Sequence, residues 1–300
     1  MTKNSNTVSR RSAVLAGMGA ATANIAFPQA GGRLTVGQVM DRIKANIGVP
    51  WRQQTVDNLF GGSPDLEVKG IATTMFPTLD VLQRAAAAGR NFVIAHETAV
   101  YMHQDETKGL ENDPTFQYKV EFIKKNNMAV QHFHDHWHMR RPDGISVGMT
   151  RELGWEKNVD PENPRLFRFN GIPLAKFAQD IQEKLKIRTM RVVGDPSTPV
   201  NRVAAGWGYH TMMRPPILGR EGVDVFITGE TWEWEMVAYA VDAAIASGKK
   251  KGLILLGHTV SEQAGMKYCA EWLKGFITEV PVEFIPAKEP FWSPGAPVAL

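Results

Sequence analysis

Apolar residues in this chain follow two rhythms. Short runs of consecutive apolar positions are separated by longer stretches in which apolar residues return every third or fourth place. The first pattern marks strands buried on both faces, the second amphipathic helices. Residues 34–46 carry Leu34, Val36, Val39 and Ile43 at helical spacing. A turn-rich link at 55–62 precedes a strand at 68–73. A helix opens at Pro77-Thr78-Leu79-Asp80 and closes at Gly89, and 91–95 is a short buried strand. A helix at 116–127 leads to a strand at 128–130. Residues 161–173 read as a loop carrying extended segments, and 174–185 as a helix. Strands follow at 189–193, 200–205, 223–228 and 252–256, with a helix at 233–246 between the last two. The final elements are a helix at 264–276 and a strand at 282–285.

Strands alternating with helices predict an α/β fold. A weak internal repeat refines it: Val68 to Glu97 resembles Val200 to Glu230 and differs in length by one residue. The expectation is two similar α/β halves facing each other around a central cleft, with Glu97 and Glu230 at equivalent strand ends.

Composition changes this picture at one end only. The 300 residues include 43% hydrophobic and 22% charged side chains, as in an ordinary globular protein. No apolar run is long enough to cross a bilayer. The single Cys269 lies in an amphipathic stretch and reads as a small core residue. Residues 1–30 differ from the rest. Ser9-Arg10-Arg11 precedes a mild Ala- and Gly-rich apolar stretch, the pattern of a twin-arginine signal peptide with cleavage after Ala23 or Ala30. The chain is therefore expected to be exported, to the periplasm or beyond, with 31–300 as one two-lobed α/β domain. Three of the 34 basic residues (Lys3, Arg10, Arg11) fall in that segment, which leaves 31 against 31 acidic residues. A neutral mature chain gives no support for nucleic-acid binding, and none for a membrane once the signal is removed.

The candidate chemistry sits in Gln131-His132-Phe133-His134-Asp135-His136-Trp137-His138, where four of the eight histidines occupy every second position. Imidazole is the commonest transition-metal ligand. The alternative is a polar strand face whose histidines are satisfied by backbone carbonyls. Two other strands also end in donors: 91–95 delivers His96 and Glu97, and 252–256 delivers His258 with Glu262 four residues on. Binding crevices of open α/β sheets lie outside the carboxyl ends of the strands, where such donors converge. His134 and His138 share a side if extended, and His258 and Glu262 share a face if helical. Imidazoles and carboxylates without thiolates fit Zn, Fe, Mn or Ni. Five or six donors exceed the need of one ion, so two divalent ions sharing a carboxylate are expected. Asp135 is a further candidate bridge or catalytic group, and Glu230 a candidate general base. His103 and His210 stand isolated in sequence, and His132 and His136 are set aside. Trp137, Trp232 and Trp234 read equally well as pocket walls or core.

These residues resemble the dinuclear-metal-centre family known as GTP cyclohydrolase 1 type 2, or Nif-three-like, over residues 33–288. The markers are Val56-Asp57-Asn58-Leu59-Phe60-Gly61-Gly62, Val93-Ile94-Ala95-His96-Glu97, Val192-Val193-Gly194-Asp195-Pro196, Asp224-Val225-Phe226-Ile227-Thr228-Gly229-Glu230 and Gly257-His258-Thr259-Val260-Ser261-Glu262. The family usually has a His-His pair where this chain has His96-Glu97, and His-x3-Asp where it has His134-x3-His138. The closing His-x3-Glu matches His258 and Glu262. The resemblance implies His96, Glu97, His138, His258 and Glu262 as ligands, with Glu262 bridging, and a toroidal homohexamer. Gly206-Trp207-Gly208-Tyr209-His210 replaces a small Gly-rich turn, which implies a different substrate. The functional expectation is a metal-dependent hydrolase acting on a small molecule, a phosphoester or a cyclic amide such as a GTP-like purine. A non-enzymatic metal-binding or assembly protein is the other reading.

Overall fold

The structure is a computed structural model that describes residues 33–212 and 217–294; the predicted signal segment lies outside them. In chain order the strands are β1 (Leu59–Phe60), β2 (Ile71–Thr74), β3 (Phe92–Ala95), β4 (Ala129–His132), β5 (Val159–Asp160), β6 (Asn163–Pro173), β7 (Arg191–Val193), β8 (Pro199–Tyr209), β9 (Val225–Glu230), β10 (Gly252–Leu255) and β11 (Val282–Phe284). The helices are α1 (Val36–Asn46), α2 (Leu79–Ala87), α3 (Pro114–Lys125), α4 (Asp135–Met139), α5 (Gly144–Leu153), α6 (Leu174–Leu185), α7 (Ala238–Ala246) and α8 (His258–Lys274). The architecture is α/β with two sheets, one per half, ordered β1-β4-β3-β2-β11 and β5-β6-β8-β9-β10-β7.

β11, β2, β3 and β4 run parallel in the first sheet, as do β8, β9 and β10 in the second. Parallel strands covered on both faces need continuous apolar runs. Each of β2, β3, β4 and β10 is buried at every position. Parallel pairing also sends β3 and β4 out of the same sheet edge. His96 and Glu97 therefore emerge beside the histidine run that follows β4.

α8 joins the halves, packing on β2 and β11 of one sheet and on β8 and β9 of the other. Its crossing with α5 is close enough to require glycine. A methyl on Gly148 would sit 2.3 Å from the Ala264 carbonyl, and one on Gly265 would sit 2.5 Å from the Ile145 side chain. α5 starts where Asp143 accepts from the amides of Ile145 and Ser146 at 2.9 and 3.1 Å, and it ends at Gly154 with φ 67°.

Three local expectations change. The histidine run is not extended: after β4 it turns into α4, so His134 and His138 meet as neighbours one helical turn apart. Asp57 explains the turn, because its carboxylate accepts from the amides of His134, Asp135 and His136 at 2.7, 2.8 and 2.9 Å. The last helix begins at His258, six residues before the apolar periodicity starts, which makes the His258–Glu262 pair helical. The expected loop at 161–173 is the long strand β6, held by antiparallel pairing with β8. The repeat holds at β3 and β9, both interior strands flanked by parallel partners. Among the described residues, however, no helix joins β8 to β9 as α2 joins β2 to β3.

Candidate metal centre

Glu262 is the centre of the site. It is 2% exposed, yet imidazoles from three elements face its two oxygens. Its Oε2 lies 3.0 Å from His258 Nε2 and 3.7 Å from His96 Nε2, and its Oε1 lies 3.5 Å from His138 Nε2. Glu97 joins from the other side, with Oε1 3.4 Å from His258 Nε2. His134 closes the group: its ring centroid is 4.7 Å from that of His96 and 4.8 Å from that of His138. The donor atoms of His96, His134 and His138 lie within 4.8 Å of one another, as do those of His96, Glu97 and Glu262.

Each imidazole is oriented through its remote nitrogen. His138 Nδ1 donates to Asp143 Oδ2 at 3.1 Å, His258 Nδ1 to Glu230 Oε1 at 3.0 Å, and His134 Nδ1 to Asp135 Oδ1 at 3.0 Å. His96 Nδ1 faces the Phe133 carbonyl at 3.3 Å. A histidine that donates one N–H to a carboxylate or carbonyl and points its other nitrogen inward is the usual dress of a metal ligand. His96 supplies the test of fit. The carbonyl assigns the proton to Nδ1, so the Nε2 lone pair points toward a carboxylate oxygen. That Nε2 is buried and makes no hydrogen bond. Two facing acceptors in a buried site call for a cation between them, and the all-N/O donor set suits a divalent transition metal.

The electrostatics agree. Burial pushes Glu262 upward, but the imidazoles of His96, His138 and His258 around it outweigh that and hold the carboxyl well below its ordinary range. Glu97 behaves likewise, lowered against burial by His103, His258 and His96. Burial works against the charged forms of His138 and His258 too. Their carboxylate partners nevertheless raise them, to about 10 for His138 through Asp143 and Glu262, and to about 12 for His258 through Glu230, Glu262 and Glu97. Burial pushes His134 down to about 4 against its hydrogen bond to Asp135. Without an ion, protons on His138 and His258 therefore compensate the carboxylates that a metal would neutralise.

All six predicted ligands converge: His96, Glu97, His134, His138, His258 and Glu262. The two predicted catalytic carboxylates do not stand at the centre. Asp135 accepts instead from His134 Nδ1 and from the Thr55 hydroxyl and Val56 amide at 2.9 and 3.3 Å. Glu230 is half exposed and orients His258 from outside. His136 is structural: Nδ1 bonds Asp57 at 2.5 Å, Nε2 accepts from the Arg52 amide at 2.9 Å, and Trp51 stacks on the ring at 3.8 Å. His210 packs on Phe226. Cys269 is fully buried, and burial raises its thiol, which fits a core residue. Sequence reasoning missed Asp143, whose signal was its place at a helix start five residues after His138. His103, isolated in sequence and read there as a surface or satisfied residue, lies with its Nδ1 3.6 Å from Glu97 Oε2.

The centre opens into a cleft of about 1050 Å³, lined by Glu97, His134, His138, His258 and Glu262 and by Phe76, Trp207, Tyr209 and Trp232, with Arg165 and Lys288 adding positive charge. Trp137 is no part of it. It is fully buried against Phe133, Tyr268 and Trp272. Trp234 is largely exposed and stacks on Trp232. Gly208 reaches the centre through an irregularity in β8, with φ +75°; a methyl there would lie 2.6 Å from Glu262 Oε1.

This architecture and donor set have known counterparts. The sequence profile of the Duf34/NIF3 (NGG1p interacting factor 3) family matches residues 35–290. The chain belongs to this family. No curated protein matches it in sequence. Among solved structures, protein SA1388 of Staphylococcus aureus is similar at 18% identity and a TM-score of 0.64, covering 87% of this chain and 99% of that one. A Bacillus cereus protein related to NIF3 is similar at 15% identity and a TM-score of 0.65, covering 89% and 99%. The protein ybgI, of unknown function, is similar at 20% identity and a TM-score of 0.67, covering 86% and 100%. These likenesses are of fold. The centre is compatible with a metal-binding protein of the Duf34/NIF3 family.

Proposed function

We propose that this Duf34/NIF3 chain is a dinuclear-metal hydrolase acting on a small anionic substrate with an aromatic part. The observation that carries the reading is Glu262, a buried carboxylate whose two oxygens face His96, His138 and His258 at the floor of an open cleft. His96, His134 and His138 would hold one ion, Glu97 and His258 the other, with Glu262 common to both. When bound, such a pair lowers the pKa of water and polarises the bond to be cleaved.

The rest of the chemistry belongs to the chain. Asp143, Asp135 and Glu230 fix three imidazole rings by their Nδ1 hydrogen bonds, so the donors are set before anything binds. Trp232, Tyr209 and Trp207 offer aromatic faces, and Arg165 and Lys288 offer charge to a phosphate or other anion. That combination favours a nucleotide-like phosphoester or cyclic amide. A His258→Ala/Glu262→Gln double variant should lose bound metal and turnover together in a screen of these substrates. Full turnover in that variant would sink the reading.

Assembly into a homo-oligomer, a hexamer by family resemblance, belongs to the same proposal. Val241 and Ile245, one turn apart on α7, are both exposed apolar residues. Light scattering of the purified protein checks it. Export through the Arg10-Arg11 motif is checked by fractionating cells that express an Arg10→Lys/Arg11→Lys variant.

A further inference from the structure

Beside the pair lies a second cluster of donors that the dinuclear reading does not use. One donor atom each of Glu97, His103 and His132 lie within 4.8 Å of one another. His132 is 2% exposed. Its Nδ1 is held by Asp105 Oδ2 at 2.9 Å, and its Nε2 is buried with no hydrogen-bond partner. Asp105 is itself fixed, accepting from the Thr98 hydroxyl at 2.6 Å, and it adopts φ 56° to reach its place. A carboxylate that orients an imidazole whose other nitrogen is left bare is the second half of a metal site. His103 completes the cluster from the loop after β3, with Nδ1 3.6 Å from Glu97 Oε2.

Glu97 connects the two clusters. Its Oε1 faces His258 and its Oε2 faces His103. A neutral imidazole at this position would offer one lone pair, whereas a carboxylate offers two oxygens and can serve two ions at once. We infer that Glu97, His103 and His132 form a third divalent-cation site, with Glu97 shared between it and the neighbouring pair. Three protein donors leave a coordination position free, and Glu97 and His103 both line the cleft, so that position is open to a ligand. The inference rests on the dinuclear reading only through the sharing of Glu97.

The test counts ions. The full-length protein is stripped with a chelator, reloaded with Zn²⁺, freed of excess by gel filtration, and analysed for zinc per chain. Three ions are expected in the unaltered protein. His103→Ala and His132→Gln should each retain two and lower the affinity for the third by at least about 10-fold to 100-fold. Glu262→Gln should lose the pair and keep the ion at Glu97. The His103 side chain is half exposed, so its variant does not threaten the core. Co²⁺ loading gives a second readout, the loss of one set of visible ligand-field bands in His103→Ala. Two ions in the unaltered protein and an unchanged count in His103→Ala would overturn the third site and leave the pair standing. A single ion that depends on His103 and His132 but not on Glu262 would overturn the pair and leave the third site standing.

Discussion

Gly208→Ala offers a sharp test of how the centre is built, because the change is one methyl group on a residue that coordinates nothing. That methyl would lie 2.6 Å from Glu262 Oε1, 2.7 Å from Cδ and 2.7 Å from Oε2. Carbon atoms do not approach so closely, so either β8 or the Glu262 side chain must move. The residue also sits at φ +75°, which costs an alanine about 1–2 kcal/mol. Overpacking of a full site adds about 1–3 kcal/mol. The expected destabilisation of the metal-free protein is thus about 2–5 kcal/mol if the backbone holds. Displacement of Glu262 should weaken metal by 100-fold or more, beyond the usual 10-fold to 100-fold for loss of an orienting partner. Gly248→Ala is the control: its φ is +69°, and an added methyl there would meet nothing within 4 Å. It should show the backbone cost alone and keep its metal. Thermal melts with and without Zn²⁺ read both effects, since an ion at 100 times its Kd adds about 2.7 kcal/mol. If Gly208→Ala gains as much stability from Zn²⁺ as the unaltered protein, Glu262 is not the shared ligand.

Other consequences are independent of that one. Asp143→Asn keeps a good cap for α5 but takes the charge from the partner of His138. It should melt within about 1 kcal/mol of the unaltered protein while binding Zn²⁺ about 10-fold to 100-fold more weakly by calorimetry; unchanged affinity would refute the orienting role. Lys119 is buried beside the Tyr101 ring, and desolvation lowers its pKa from 10.5 to about 8. The folded state therefore releases this proton before the unfolded state does, and stability rises with pH between about 8 and 10.5. Lys119→Met should gain up to about 3 kcal/mol at pH 7 and flatten that rise in urea melts, and a loss of stability would contradict it. Gly265→Ala should cost at least about 1–3 kcal/mol through the α5–α8 contact, measured by the same melts; a neutral effect would mean the helices can part freely.

Strand ends were the legible part of this chain. Uninterrupted apolar runs in β3 and β10 and the donors that follow them are local facts, and parallel pairing then brings them together. The same logic located His96, Glu97, His258 and Glu262. The path of residues 132–138 was not legible. Alternating histidines suggest a strand, but Asp57, far away in sequence, supplies the carboxylate that caps α4 and curls the segment into a helix. Asp135 then points away from the centre, into hydrogen bonds with Thr55 and Val56. His103 was illegible for a similar reason: a long loop after β3 folds back to Glu97, and nothing in its composition records that return. The start of α8 was hidden because its first turn faces the site, where donors replace the apolar periodicity that marks a helix.

The central claim is that Glu262 is shared by two ions, and anomalous diffraction from crystals grown with Zn²⁺ tests it most directly. The account predicts a pair of peaks about 3.5–4 Å apart, one on each side of the Glu262 carboxylate, with His96, His134 and His138 around one and Glu97 and His258 around the other, besides the separate peak expected at Glu97, His103 and His132. A single peak, or peaks that leave Glu262 uncoordinated, would contradict it.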